Sequence, residues 1–367
     1  MAPDGRSGES RLVRIDDLGH CLATSFERLE LEAEDAAALA DLLIDSELRG
    51  HPDHGIAALE PLTLFYRQGK LNPRPSVRVL RESDGAILLD GDRGYGPGAP
   101  TLAMKWCIER ARQSKGMAVA AVRDWQMIVA GPFARLAAEA GLIGFACTNF
   151  VPIVAPPGGR TAVFGTNPMA YAIPARRHAP VVLDMATTVS NVLKVRMAGQ
   201  QGSRVPDGVA FDRAGRPITD PGEFLEGGLM APLGYPLVPY KGFGLALFID
   251  VLSGVLTGSG FAQGMTTRAP GNFLWALDVE AFMPREEFLE RMDDQLDQIK
   301  QGERLPGVDE LVAPGERGQQ RYLELTAREW VPVTPASWDV LVASCDSLAV
   351  PLPAVLEHPT SSGDCPA

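Results

Sequence analysis

Only five of the 367 residues are histidines: His20, His51, His54, His178 and His358. Imidazole is the side chain best suited to exchanging a proton near neutral pH. His20 falls on an expected first helix, and His178 and His358 stand among polar residues, so these three are expected at the surface. His51 and His54 differ. They share the turn segment His51-Pro52-Asp53-His54-Gly55, directly after a helix, and Gly55 permits close approach of a ligand. Loops carried by a rigid scaffold are where catalytic groups concentrate. Spacing alone leaves His54 open as either a proton-transfer group or a loop cap.

Three other segments carry polar chemistry. Phe164-Gly165-Thr166-Asn167-Pro168 reads as a tight turn leading into a strand. Asp184-Met185-Ala186-Thr187-Thr188 closes a strand with a carboxylate and two hydroxyls, an arrangement that binds sugars or phosphates or merely caps a turn. Tyr240-Lys241-Gly242-Phe243-Gly244 sets a lysine at a glycine-bounded helix start. A cation there opposes the helix dipole, and a bound anion such as phosphate would relieve it.

The glycine-rich stretch GDRGYGPGAP (Gly91 to Pro100) spaces its glycines GxxGxGxG. A dinucleotide fingerprint needs GxGxxG and an acidic residue about 20 positions further on, so the Rossmann reading fails and a mobile turn is expected. The absence of GxxxxGK[ST], GxSxG and HExxH sets aside P-loop, α/β-hydrolase and zincin chemistry. No histidine or carboxylate spacing suggests a metal site.

The elements that must position these residues follow from composition and periodicity. With 46% hydrophobic and 22% charged residues the chain has the balance of a folded enzyme. Thirty-four Lys and Arg against 46 Asp and Glu give a net charge of −12, which disfavours nucleic-acid or anionic-membrane partners. Cys21, Cys107, Cys147, Cys345 and Cys365 form no CxxC pair and read as reduced thiols of a cytoplasmic protein. Met1 to Ser10 lacks the apolar run of a signal peptide. The most membrane-like window, Gly242 to Phe261, is broken by Asp250 and by Gly and Ser. It falls short of the roughly 20 apolar residues a span needs and is expected to be a buried helix.

Helices are expected over Ala33–Leu48, where Ala36, Leu39, Ala40, Leu43 and Ile44 recur at helical spacing, and around Thr63–Gln68. Further helices are expected over Leu102–Ser114, Phe133–Ala140, Glu286–Gln301 and Ala336–Leu348. Strands are expected at Val77–Val79, Ala86–Leu89, Met117–Val122, Leu142–Thr148 and Val181–Met185. Alternating helices and strands predict a layered α/β protein, with loose tails at 1–10 and 358–367.

Taken in order, several segments resemble one family. They are LRGHPDHG (Leu48 to Gly55), YRQGKL (Tyr66 to Leu71), FGTNPMAYAIP (Phe164 to Pro174), LDMATT (Leu183 to Thr188), PLG (Pro232 to Gly234), YKGFGLAL (Tyr240 to Leu247), LTG (Leu256 to Gly258) and PGE (Pro314 to Glu316). Over roughly Ile15 to Pro353 the chain is similar to the type-2 malate/L-lactate dehydrogenases. That group includes ureidoglycolate, sulfolactate and diketogulonate oxidoreductases and cyclic-imine reductases.

The resemblance implies an NAD- or NADP-dependent oxidoreductase with a layered two-domain α/β fold whose nucleotide-binding domain is not of the Rossmann kind. It also implies a homodimer acting on a small 2-oxo or 2-imino acid, with the cofactor carrying the hydride. The implied division is 11–125 with 265–355 as the helical, dimerising, histidine-bearing part and 126–264 as the cofactor part. His54 is implied as the proton donor. Cofactor contacts are implied at Pro180, Val181, Val182, Leu183, Asp184, Met185, Ala186, Thr187, Tyr240, Lys241, Gly315, Glu316 and Arg317.

The departures from the family pattern are local. Asp53 stands where relatives have Ser, and a carboxylate beside an imidazole favours the protonated ring, which suits reduction. Ala58 replaces an Arg that grips the substrate carboxylate, and Leu62 replaces a Tyr. Arg49 or Arg160 is expected to take over that grip, with Thr166 and Asn167 as polar substrate contacts. RDWQMI (Arg123 to Ile128) replaces a segment close to NSNHFG, so Gln126 stands for a second His and cannot exchange a proton. Leu193-Lys194 replaces a frequent Gly-Lys. These changes fit an enzyme retuned for another substrate, with Trp125, Leu62 and Ala58 reshaping the pocket. A cofactor-binding pseudoenzyme and a non-redox biosynthetic enzyme are the alternatives.

Overall fold

The computed structural model describes residues 10–266 and 269–356. Apart from Ser10, the expected tails, with His358 and Cys365, lie outside the described residues. The chain opens with β1 (Arg11–Arg14), α1 (Ile15–Glu27) and α2 (Ala33–Leu48), then passes two 3-10 turns into α3 (Leu59–Arg67). Next come β2 (Arg78–Glu82), β3 (Ala86–Tyr95), α4 (Gly98–Ser114), β4 (Met117–Gln126), α5 (Gly131–Glu139) and β5 (Ile143–Thr148). β6 (Met169–Ile173) and β7 (Val181–Met185) precede a small unit made of α6 (Val192–Gln200), β8 (Ala210–Phe211), β9 (Pro217–Ile218), α7 (Pro221–Leu225) and β10 (Leu229–Met230). α8 (Pro239–Asp250) runs into a π turn, Val251–Val255. The chain then forms β11 (Asn272–Leu277), α9 (Arg285–Lys300), α10 (Glu316–Arg328), β12 (Trp330–Val333) and α11 (Pro335–Leu348).

Seven strands form one sheet in the order β2-β3-β4-β11-β5-β6-β7. Only β3 and β4 run parallel; every other neighbouring pair is antiparallel. A Rossmann sheet is built from parallel βαβ units, so this mixed sheet is the structural counterpart of the missing fingerprint. The sheet also crosses the boundary expected at 125/126. β11, from the expected 265–355 part, is inserted between β4 and β5 and pairs with both.

α4 and α5 cover one face of the sheet, and their core continues without a break into α1, α2, α3 and α11. Ala36, Leu39, Ala40 and Leu43 on α2 are all within 1% of full burial, as their spacing predicts. On the opposite face α8 and its π turn pack Ile249 against Phe145, Cys147 and Phe273. The four described cysteines are buried free thiols.

Two expectations change. The glycine stretch is no mobile turn: β3 runs through it to Tyr95, pairing Gly94 with Trp125, and α4 starts at Gly98. The indole of Trp125 explains the glycines. A Cβ on Gly94 would stand 2.1 Å from its ring, and on Gly91 2.8 Å from its Cβ. Trp125 is 2% exposed and donates its Nε1–H to the Gly96 carbonyl at 2.9 Å. Second, α8 is buried on one face only. Ile249 faces the sheet and Ala246 the core of the small unit, while Leu247, Phe248, Val251, Val255 and Leu256 are 42–57% exposed. The apolar residues of this segment lie on more than one side, and the rest of the chain covers only one of them. No helix among the described residues is long and apolar enough to cross a membrane.

Candidate active site

The His54 loop is anchored at both ends. α2 stops in a double hydrogen-bonded turn, with the Gly50 amide donating to Glu47 O (3.1 Å) and the His51 amide to Ser46 O (2.9 Å). Gly50 supplies the left-handed φ of +85° that this ending requires. The His54 amide then donates to His51 O and the Gly55 amide to Pro52 O, closing a 3-10 turn that leads towards α3.

Within this turn Asp53 is 2% exposed, and its Oδ2 lies 3.0 Å from His54 Nδ1. The same oxygen accepts from Asn191 Nδ2 at 2.8 Å. Asn191 is the N-cap of α6, its Oδ1 accepting from the Lys194 amide at 2.8 Å. Burial on its own would raise the Asp53 carboxyl. The hydrogen bond and charge of His54, then the Asn191 amide and the Lys194 charge, outweigh burial and hold it well below the usual carboxylate range. An ionised Asp53 at Nδ1 fixes that nitrogen as a donor and leaves Nε2 as the working atom of a side chain that is 27% exposed.

Other charged groups converge here. Burial lowers the His51 pKa, the Asp53 and Asp184 charges oppose that, and the His54 and Lys194 charges reinforce it. Asp184 accepts from the Gly131 amide at 2.6 Å, so this carboxylate caps the N-terminus of α5 rather than its own turn. Its residue surface meets solvent although protein surrounds the carboxyl. Desolvation raises its pKa, the Gly131 amide and then the charges of His54 and His51 opposing. His51, Asp53, His54, Asp184 and Lys194 thus form one electrostatic cluster. Two broad clefts among the described residues, about 740 and 700 Å³, lie elsewhere and do not include His54.

The segment Pro180 to Ala186 is mostly β7, the edge strand, which pairs with β6 on one side. On its other side the Val182 amide donates to Pro314 O at 3.0 Å, which brings Gly315 against Val182. Glu316 is taken up by an ion pair with Lys300 and by the Ala313 amide, while Arg317 is exposed. A short backbone relay joins β7 to α8. The Leu233 amide donates to Thr187 O and the Gly242 amide to Leu233 O, which sets Tyr240 and Lys241, both exposed, beside the Asp184–Thr187 segment.

Several expected contacts are structural. Asn167 is fully buried at φ +34°, donating to Ala246 O and accepting from the Phe150 amide. Both ends of its amide are used inside the protein, so it leaves the substrate-facing set. Thr187 is also fully buried, its hydroxyl donating to the Thr166 and Asn167 carbonyls. Thr166 keeps a half-buried side chain at that turn. Arg49 is engaged throughout: Nε to Asp45, Nη1 to Gln319 at 2.9 Å, and its plane over Tyr322. Arg160 is exposed on a surface loop. Ala58, Leu62 and Trp125 are each 2% exposed in the main core, so they fill space that a pocket would need. Gln126 closes β4, half buried, its carbonyl accepting from the Gly96 amide. His20 is exposed as expected, whereas His178 is partly buried against Asp297 at 2.8 Å.

Sequence reasoning missed Asn191 and Glu47. The first is readable as a helix cap, but no local signal joins it to Asp53, 138 residues away. Glu47 looks like one more acid on the solvent side of α2, yet it is 3% exposed and accepts from the Ile56 amide at 2.8 Å.

Comparison with known proteins gives the same family at three levels. The family described as malate/L-lactate dehydrogenase matches residues 13–342. The chain is 36% identical to malate dehydrogenase of Pyrococcus abyssi over 321 residues, covering 84% of this chain and 88% of that one. It is 36% identical to L-sulfolactate dehydrogenase of Methanocaldococcus jannaschii over 290 residues, 77% of this chain and 82% of the relative. The crystal structure of malate dehydrogenase from Entamoeba histolytica superposes with a TM-score of 0.88 at 28% identity, covering 94% of this chain and all of that one. A sequence match along most of its length and the same arrangement in space agree: the chain belongs to the malate/L-lactate dehydrogenase family.

Proposed function

We propose that the protein is an NAD(P)H-dependent oxidoreductase that reduces a small 2-oxo or 2-imino acid, with His54 as the proton donor. The observation that carries this reading is the Asp53–His54 pair, with Nδ1 held at 3.0 Å and the imidazole still open to solvent. A bound reduced nicotinamide would supply the hydride. The residues present fit such a group: the end of β7 with Asp184 open to solvent, the Gly315–Arg317 turn laid against that strand, and an exposed ammonium at Lys241 in the first turn of α8. Protonated His54 gives its Nε2 proton to the carbonyl oxygen or imine nitrogen, and Asp53 holds the ring in place through Nδ1. With Ala58 in the core and Arg49 engaged, Lys194 is the cation available for a substrate carboxylate near His54.

A second copy of this chain is the proposed partner, as a homodimer. Leu237, at 89% exposed, and the uncovered apolar face of α8 and its π turn form the surface of the kind that monomers rarely leave open. The buried free thiols suit the cytoplasm.

The test is titration with NADH and NADPH by tryptophan fluorescence, then turnover on a panel of 2-oxo and cyclic 2-imino acids. Micromolar binding of either nucleotide is expected, and His54→Ala should lower kcat by about 10²–10⁴-fold while binding persists. No binding of either up to millimolar would refute the oxidoreductase reading and favour the non-redox alternative, whereas binding without turnover would favour the pseudoenzyme.

A further inference from the structure

The His54 loop is held from below by a group that takes no part in the proton transfer described above. Glu47, in the last turn of α2, turns its carboxyl under the loop rather than towards solvent. Two contacts fix it, and both involve the residues that directly follow His54. The Ile56 amide donates to Glu47 Oε1 at 2.8 Å. Gly55 leaves the room the carboxyl occupies: a Cβ there would stand 2.5 Å from Oε1, 2.6 Å from Cγ and 2.7 Å from Cδ. From α10, Arg321 brings a guanidinium charge towards the same carboxyl, and its buried Nε finds no hydrogen-bond partner among the described residues.

We propose that Glu47 is a positioning residue for the proton transfer, clamping Gly55 and Ile56 so that the His54 ring keeps its Nδ1 on Asp53 and its Nε2 facing the substrate. The proposal rests on the reading of His54 as proton donor. Asp53 and Asn191 restrain the ring from the α6 side, and Glu47 restrains the backbone from the α2 side. Neither alone defines the direction of Nε2. A loop pinned at one side can still rotate about the other, and misplacement by about 1 Å costs about 10²-fold in rate. The required property of residue 47 is therefore a hydrogen-bond acceptor at Oε1, which Gln retains and Leu of similar bulk lacks.

The test compares Glu47→Leu with Glu47→Gln in the full chain, using histidine labelled with ¹⁵N in the ring, and then by kinetics. In the parent protein Nδ1 of His54 is expected to carry a proton held on Asp53 in a single state, before and after Nε2 gives up its own. E47Q should keep that signature. E47L should show exchange between tautomers and a kcat lowered about 10–100-fold with nucleotide affinity unchanged. If E47L fails to fold, Glu47→Ala takes its place with the same readouts. A parental tautomer and parental kcat in the variant lacking the acceptor would overturn the proposal. So would loss of both in E47Q. His54→Ala separates the two ideas: if it retains parental turnover, the proton-donor reading itself falls. If it abolishes turnover while E47L behaves as the parent, only the role of Glu47 falls.

Discussion

The substitution Glu47→Gln should make the protein more stable at pH 8 and leave it nearly unchanged at pH 4.5 and below. Burial, with the Asp53 charge adding, pushes the Glu47 carboxyl from 4.5 to about 7, the Ile56 amide and the Arg321 guanidinium opposing. A pKa raised in the folded state means that the native protein holds this proton more tightly than the unfolded chain. Stability therefore falls as pH rises from the unfolded pKa to the folded one, and the loss is complete above it. The interval between 4.5 and about 7, at about 1.4 kcal/mol per pH unit, gives about 3 kcal/mol. Gln stays neutral throughout and escapes that cost. The assay is urea unfolding of both proteins at matched concentration from pH 4.5 to 8.5. The gap in favour of E47Q should open mainly between pH 5 and 7 and stay flat above. A gap that does not change with pH would refute the reasoning. A gap opening in favour of the parent would show that the Ile56 amide and Arg321 stabilise the carboxylate by more than burial costs it.

Asp53→Asn keeps the shape of the side chain but removes the anion at Nδ1, and should lower kcat by about 10²–10⁴-fold without changing nucleotide affinity, as read by stopped-flow and fluorescence. Gly94→Ala would place a methyl 2.1 Å from the Trp125 ring. Thermal unfolding should show a loss of at least about 1–3 kcal/mol, and parental stability would mean that the indole is not confined there. Phe248→Asp combined with Leu256→Asp charges the uncovered face of α8, so sedimentation is expected to give dimers for the parent and monomers for the variant. An unchanged mass would move the interface elsewhere.

What the sequence disclosed depended on how far apart the interacting residues stand. α2 was legible because its apolar stripe is local, and β7 because its apolar run ends at a carboxylate. The mixed order of the sheet was not legible, since β11 enters between β4 and β5 from well over 100 residues away. The glycines of 91–98 looked like a mobile turn because their function, seating one indole, belongs to a different strand. GTNP drew attention for its polar groups, yet Asn167 spends them on Ala246 O and the Phe150 amide, and only packing reveals that. The resemblance located the His54 turn. It did not reveal Asn191 or Glu47, which support that turn from an adjoining unit and from the preceding helix.

The lost family residues bear less on activity than their number suggests. Ala58 and Leu62 sit in a continuous apolar core, so in this chain these positions carry packing, not substrate contact. Asp53 is the opposite case. Keeping an ionised carboxylate at 2% exposure carries a desolvation penalty, here offset by His54 and Asn191. Buried charged pairs add little to stability by comparison with apolar residues of similar volume, and replacing such a pair is often neutral or stabilising. A chain that had given up proton transfer would gain nothing from this arrangement and would tolerate its replacement. The buried carboxylate, a half-open imidazole and a helix-capping Asn191 that holds the carboxylate make physical sense where a proton must be delivered from Nε2, which favours a working reductase over an inactive relative.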